Sequence, residues 1–222
     1  MIDFTSRLQR SSINITEIEN KKKLIEKNKD FLNGKILLEF GVCNGDSLNE
    51  FATLYKENNI PTMFYGFDSF LGLPEEKEDI NNPSYWPKGK YYQPDIEIPK
   101  SKVPPSTVFI NGWFEDTLND ETLSLIKDKQ IGVVHIDCDI YTSTIQVLEW
   151  LVQNELLIDG TLIVYDDWGG HIEKNVSEFE CGEGRAHKEI CEKYNLNFEF
   201  ISCDPIKPHH EICTFRYRGK NL

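Results

Sequence analysis

No run of about 18 apolar residues occurs anywhere in the 222-residue chain, which excludes a helical membrane span. Positive charge is scarce. Lys and Arg number 24 against 37 Asp and Glu, a formal net charge of -13. Phosphate-backbone binding needs a basic face, so nucleic acid and anionic membrane surfaces are poor partners. The opening MIDFTSRLQRSS lacks an apolar core and a small-residue cleavage site, and the expectation is a cytoplasmic protein. The six cysteines (43, 138, 181, 191, 203 and 213) contain no Cys-x-x-Cys, which argues against a zinc framework and predicts reduced thiols. No internal repeat is present, and the length fits one domain over 1–222.

What is present is an alternation of short apolar runs and amphipathic stretches. Residues 15–31 read as a polar N-terminal helix closed by Gly34. Strands are predicted at 35–40, 62–67, 106–110, 131–136 and 161–165, with helices at 46–58, 116–127, 142–154 and 184–194. Two closing strands, 197–202 and 212–217, are joined by DPIKPHH, too short for a helical crossover, so they should pair antiparallel. This pattern predicts an α/β fold: a doubly wound, mostly parallel seven-stranded sheet with helices on both faces and one antiparallel strand near its edge. Residues 71–105 break the rhythm. They hold seven of the ten prolines and the aromatics Tyr85, Trp86, Tyr91 and Tyr92, the composition of a lid or acceptor-binding insertion.

In such sheets ligands bind beyond the carboxyl ends of the strands. After the first strand comes Glu39-Phe-Gly41-Val-Cys-Asn-Gly45-Asp-Ser47, a turn whose glycines allow close backbone approach and whose helix offers free N–H groups. Asp68 ends the second strand, where an acid can accept hydrogen bonds from a ribose diol. Gly112 and Trp113 follow the third and could flank a flat heterocycle. If strands four and five are neighbours, Asp137, Asp166 and Asp167 converge. Three carboxylates at one point favour a hard divalent cation, for which Mg²⁺ is suited. His135, on the strand itself, reads as a core histidine.

Taken together, LLEFGVCNGDS, YGFDSFLGLPE, INGWFEDTL, HIDCDIYTST and LIVYDDWGG resemble the macrocin-type O-methyltransferases over residues 35–190. These are class I, Rossmann-like enzymes that use S-adenosylmethionine (SAM) to methylate sugar hydroxyls. The resemblance implies SAM contacts from Glu39, Gly41, Gly45, Ser47, Asp68, Gly112, Trp113 and Asp139. It implies metal ligation by Asp137, Asp166 and Asp167, with Asp137 also the general base. The acceptor would be a small sugar or nucleotide-linked sugar, met by Tyr85, Trp86 and Tyr91 of the insertion and by His171 and Arg185. Such enzymes often pair, which leaves a homodimer open. Rival readings use fewer of these features. A metal-dependent glycosyltransferase would need only Asp137-Cys138-Asp139, and a non-catalytic nucleotide-binding domain would have no use for repelling acids. A nicotinamide enzyme would want Gly-x-Gly-x-x-Gly, which is absent.

Overall fold

Helix α1 (Glu17–Leu32) begins where the chain first supplies a complete cap: Thr16 accepts from the Glu19 amide, and the Glu19 carboxylate returns to the Thr16 amide. The computed structural model describes residues 4, 6, 8–11, 15–79, 86–169, 176–207 and 210–221. From α1 the chain runs through β1 (Ile36–Phe40), α2 (Asp46–Glu57), β2 (Phe64–Asp68), α3 (Glu97–Lys102) and β3 (Val108–Asn111). It continues through α4 (Phe114–Thr117), α5 (Asp120–Ile126), β4 (Ile131–Ile136), α6 (Tyr141–Gln153) and β5 (Leu162–Tyr165). It ends with α7 (Gly182–Tyr194), β6 (Leu196–Lys207) and β7 (His210–Lys220).

The strands form one sheet in the order β3-β2-β1-β4-β5-β7-β6. The first five run parallel, and β7 alone is reversed, pairing antiparallel with both β5 and β6. This is the expected doubly wound α/β sheet. Side-chain alternation divides its core in two. Leu38, Phe40, Val134, Ile136, Ile163 and Tyr165 pack with α6 and α7, while Leu37, Val133, Leu162 and Val164 pack with α1 and α2. By the same alternation Glu39 and His135, paired in register, lie on the α1–α2 side. No helix among the described residues is long and apolar enough to cross a membrane.

The structure corrects the sequence reading in four places. The single helix expected at 116–127 is two, because Asn119 leaves the helical path and accepts from the Thr122 amide as a new N-cap. The closing strands are longer than expected, and most of DPIKPHH is strand. Pro205 pairs with Glu211, which an edge strand permits because a missing N–H there costs no ladder bond. That register sets Cys203 opposite Cys213, and the two form a disulfide, so the expectation of reduced thiols fails for this pair. Cys43, Cys138, Cys181 and Cys191 are free. Finally, residues 71–105 contain helix α3 and are stitched to the body. Glu76 accepts from the amide and hydroxyl of Thr142 (2.8 and 2.7 Å), capping α6, and Asp79 accepts from the Gly182 amide (2.6 Å) at the start of α7.

Candidate active site

Strand order reverses between β1 and β4, and the segments that follow these two strands leave the sheet in contact. Gly41 has φ +91°, and a Cβ on it would lie 1.8 Å from the Asp137 carbonyl oxygen. Only glycine permits that approach. Asp68, at the end of β2, accepts from the Val42, Cys43 and Phe70 amides, each at 2.7 Å. Three of its roughly four lone-pair sites are thus spent on holding the glycine turn and its own loop, leaving about one for a ligand. Gly45 is left-handed and opens α2.

These turns wall a cleft of about 880 Å³. Of the predicted cofactor residues, Gly41, Ser47, Asp68, Gly112, Trp113 and Asp139 line it. The Glu39 carboxylate does not reach it. Glu39 is fully buried beneath the turn, 3.4 Å from His135 Nδ1. From the insertion, Trp86 and Tyr91 line the cleft. Trp86 is anchored by Leu73 and Ile140, and the Lys90 ammonium lies 4.1 Å from the Trp86 ring centre and 4.8 Å from that of Tyr91. Arg185 faces elsewhere. It stacks on Tyr141 at 3.9 Å and bonds Glu189 and the Glu78 carbonyl. Tyr85 and His171 fall outside the described residues.

The acids at the strand ends divide into two groups. His135, Asp137 and Asp166 each bring one ligand atom within 4.8 Å of the others. Asp167 turns to Asp139 and shares a hydrogen bond with it. Its amide donates to the buried Glu183 carboxylate at 3.1 Å. The division has a local cause. β4 ends at Ile136, and Asp139 takes a left-handed backbone, φ +65°, so Asp137 and Asp139 do not share a face as strand neighbours would.

Charge is distributed unevenly over this cluster. Burial holds Asp137 well above the usual carboxylate range, the Asp166 charge adds to this, and His135 opposes it. Burial likewise raises Asp139, Asp167 and Glu183, each reinforced by neighbouring acids. Asp166 is the exception. Burial would raise it, but His135 and His210 outweigh that and keep it ionised far below the usual range. Burial would also lower His135, yet Asp166 and Glu39 push it up to about 10. His135 Nε2 lies 3.6 Å from Asp166 Oδ1, an ion-pair distance. Behind this group the buried Lys21 ammonium of α1 donates to Ser47 (2.9 Å) and Glu50 (2.6 Å).

Sequence reasoning passed over His210, Lys21 and Glu183 and placed His135 in the core. His135 is indeed fully buried, but it faces two carboxylates. Its place near the end of β4, two residues before Asp137, was the available signal. His210 carried none, since its meeting with Asp166 depends on the register of β7 against β5.

The family model for macrocin O-methyltransferases (TylF) matches residues 10–192, most of the chain. No curated protein matches it in sequence. Among solved structures, the calicheamicin methyltransferase CalS11 shares 20% identity over 89% of this chain and 77% of that one, with TM-score 0.66. An apo structure of CalS11, described as a TDP-rhamnose 3'-O-methyltransferase, gives 19% identity, 89% and 78% coverage and TM-score 0.58. The O-methyltransferase TomG from Streptomyces achromogenes, in complex with SAM, gives 14% identity, 90% and 80% coverage and TM-score 0.57. These likenesses share the sheet described above. Its glycine turn, strand-end acids and family match lead to one conclusion: the chain belongs to the macrocin O-methyltransferase family and is a SAM-dependent O-methyltransferase.

Proposed function

We propose that the chain methylates a sugar hydroxyl on a nucleotide-linked sugar, polysaccharide precursor or glycosylated natural product, with a divalent cation held at Asp137 and Asp166 beside Asp167. The observation that carries this reading is the meeting of Asp137, Asp166 and the buried His135 within 4.8 Å, with the two acids lining the cleft that the glycine turn opens. The donor set fits a cation. Asp137, Asp139, Asp167 and Glu183 are all held above the usual range, so positive charge added beside them would be stabilised as they ionise. Carboxylate oxygens suit Mg²⁺ or Mn²⁺. The sugar acceptor is supported by the family and by the activity named for one structural neighbour.

SAM supplies a methyl group on a sulfonium, whose sulfur would leave as a neutral thioether that needs no acid. A bound cation would lower the pKa of an acceptor hydroxyl. The protein's own part is then alignment and proton removal. The glycine turn and Asp68 receive the methionine and ribose parts of the cofactor, with Glu39 and Gly45 supporting the turn from behind. Ser47 and Asp139 stand beside them, and Gly112 and Trp113 meet the adenine edge. Asp137 takes the hydroxyl proton. Its closeness to the glycine turn, where a Cβ on Gly41 would lie 1.8 Å from the Asp137 carbonyl oxygen, supports this role. Trp86 and Tyr91 of the insertion offer ring faces to the sugar. Mass spectrometry across a panel of nucleotide sugars should reveal one methyl-sized gain that requires SAM and disappears in Asp137→Asn, while that variant still binds demethylated cofactor. Loss of cofactor binding together with turnover would contradict this division of labour.

A further inference from the structure

Asp166 is held from both sides. Its Oδ2 lies 3.1 Å from Nε2 of His210 on β7, and its Oδ1 faces Nε2 of His135 on β4. The second nitrogen of His210 lies 3.6 Å from a Glu17 oxygen at the start of α1. An imidazole flanked by two carboxylates on different elements has a fixed ring plane, because each nitrogen has one partner direction. The carboxylate it meets cannot rotate freely about its last bond, so the edge of Asp166 turned toward Asp137 is set by β7 together with β4. His210 also lines the cleft and is half-buried. The contact joins elements 44 residues apart in sequence.

We infer that His210 is a positioning residue for the cation site: it orients Asp166 toward Asp137 without itself touching the reacting atoms. The inference rests on the cation reading above. It implies that the β6–β7 hairpin helps to set the acid half of the site and leaves the cofactor half alone. Partners that orient a metal ligand typically contribute about 10- to 100-fold in metal affinity.

The test is Mn²⁺ binding by electron paramagnetic resonance on the intact protein, with binding of demethylated cofactor and the kcat and KM of methyl transfer measured alongside. His210→Ala should weaken Mn²⁺ at least about tenfold and lower kcat. Its cofactor affinity and KM for SAM should stay within about twofold of the wild type. His210→Gln, whose amide can still donate to Asp166, should recover most of the Mn²⁺ affinity. A fold defect would lower cofactor binding and Mn²⁺ binding together and would not be rescued by glutamine; that pattern overturns the inference. So does a His210→Ala variant that binds Mn²⁺ as tightly as the wild type, which leaves the cation reading standing. A wild type that takes up no Mn²⁺ overturns the cation reading and this inference with it.

Discussion

Replacing Gly41 by alanine should cost far more than the same change at Gly34, although both residues have positive φ. Gly34, at +74°, has nothing within 4 Å of the point where a methyl would stand, so Gly34→Ala carries only the left-handed backbone penalty, about 1 kcal/mol. At Gly41 that penalty recurs at φ +91°, and the new methyl would stand 1.8 Å from the Asp137 carbonyl oxygen and 2.7 Å from its carbon. A normal contact exceeds 3 Å, and the obstacle is backbone, so no side chain can swing away. The ends of β1 and β4 must separate by more than an ångström. This breaks the bond from the Asp137 amide to the Phe40 carbonyl, now 2.9 Å, at about 1 kcal/mol for that bond alone. With the strain of parting two buried strand ends, the total is about 3–4 kcal/mol. Urea unfolding of both variants, followed by far-ultraviolet circular dichroism, measures the difference. Calorimetry with demethylated cofactor should show binding lost in Gly41→Ala and kept in Gly34→Ala. Equal midpoints for the two variants would refute the claim that these strand ends are in backbone contact.

Glu76→Ala should destabilise the protein by about 1–2 kcal/mol, since it removes a cap shared by the amide and hydroxyl of Thr142. Hydrogen exchange should quicken over 71–79, and unchanged exchange there would show that the insertion is not held by this cap. His187 is buried, and burial depresses it to about 3. An exposed imidazole titrates near 6.5, so below that pH the unfolded chain takes up a proton that the folded chain refuses. The stability that this site contributes at neutral pH is therefore lost as pH falls from about 6.5 toward 3, by about 2 kcal/mol at pH 5. The advantage of the wild type over His187→Gln should shrink by that amount between pH 7.5 and pH 5 in urea titrations; a constant gap would mean that the ring is protonated in the fold.

The parts of the fold that the sequence revealed were those with unbroken local pattern. Ile131–Ile136 is apolar apart from His135 because both faces of β4 are covered, and its bounds match the prediction. The order of strands and helices, the reversed strand and the five blocks at the strand ends were legible for the same reason. What stayed hidden depended on distant or sharply local geometry. The grouping of Asp137 with Asp166, and of Asp139 with Asp167, follows from a single left-handed residue just past β4, which spacing cannot show. The Cys203–Cys213 bond and the contact of His210 with Asp166 both need the hairpin register. The length of β6 was hidden by Pro205, which reads as a strand breaker until the strand is known to be an edge.

The proposed divalent cation at Asp137 and Asp166 should bind beside a cofactor cleft that works independently of them. Mn²⁺ titration of the Asp137→Asn, Asp166→Asn double variant against the wild type, with cofactor affinity measured on the same samples, tests it most directly. One bound Mn²⁺ is expected in the wild type and none at comparable concentration in the variant, with cofactor affinity nearly unchanged. Equal Mn²⁺ uptake by both proteins would contradict it.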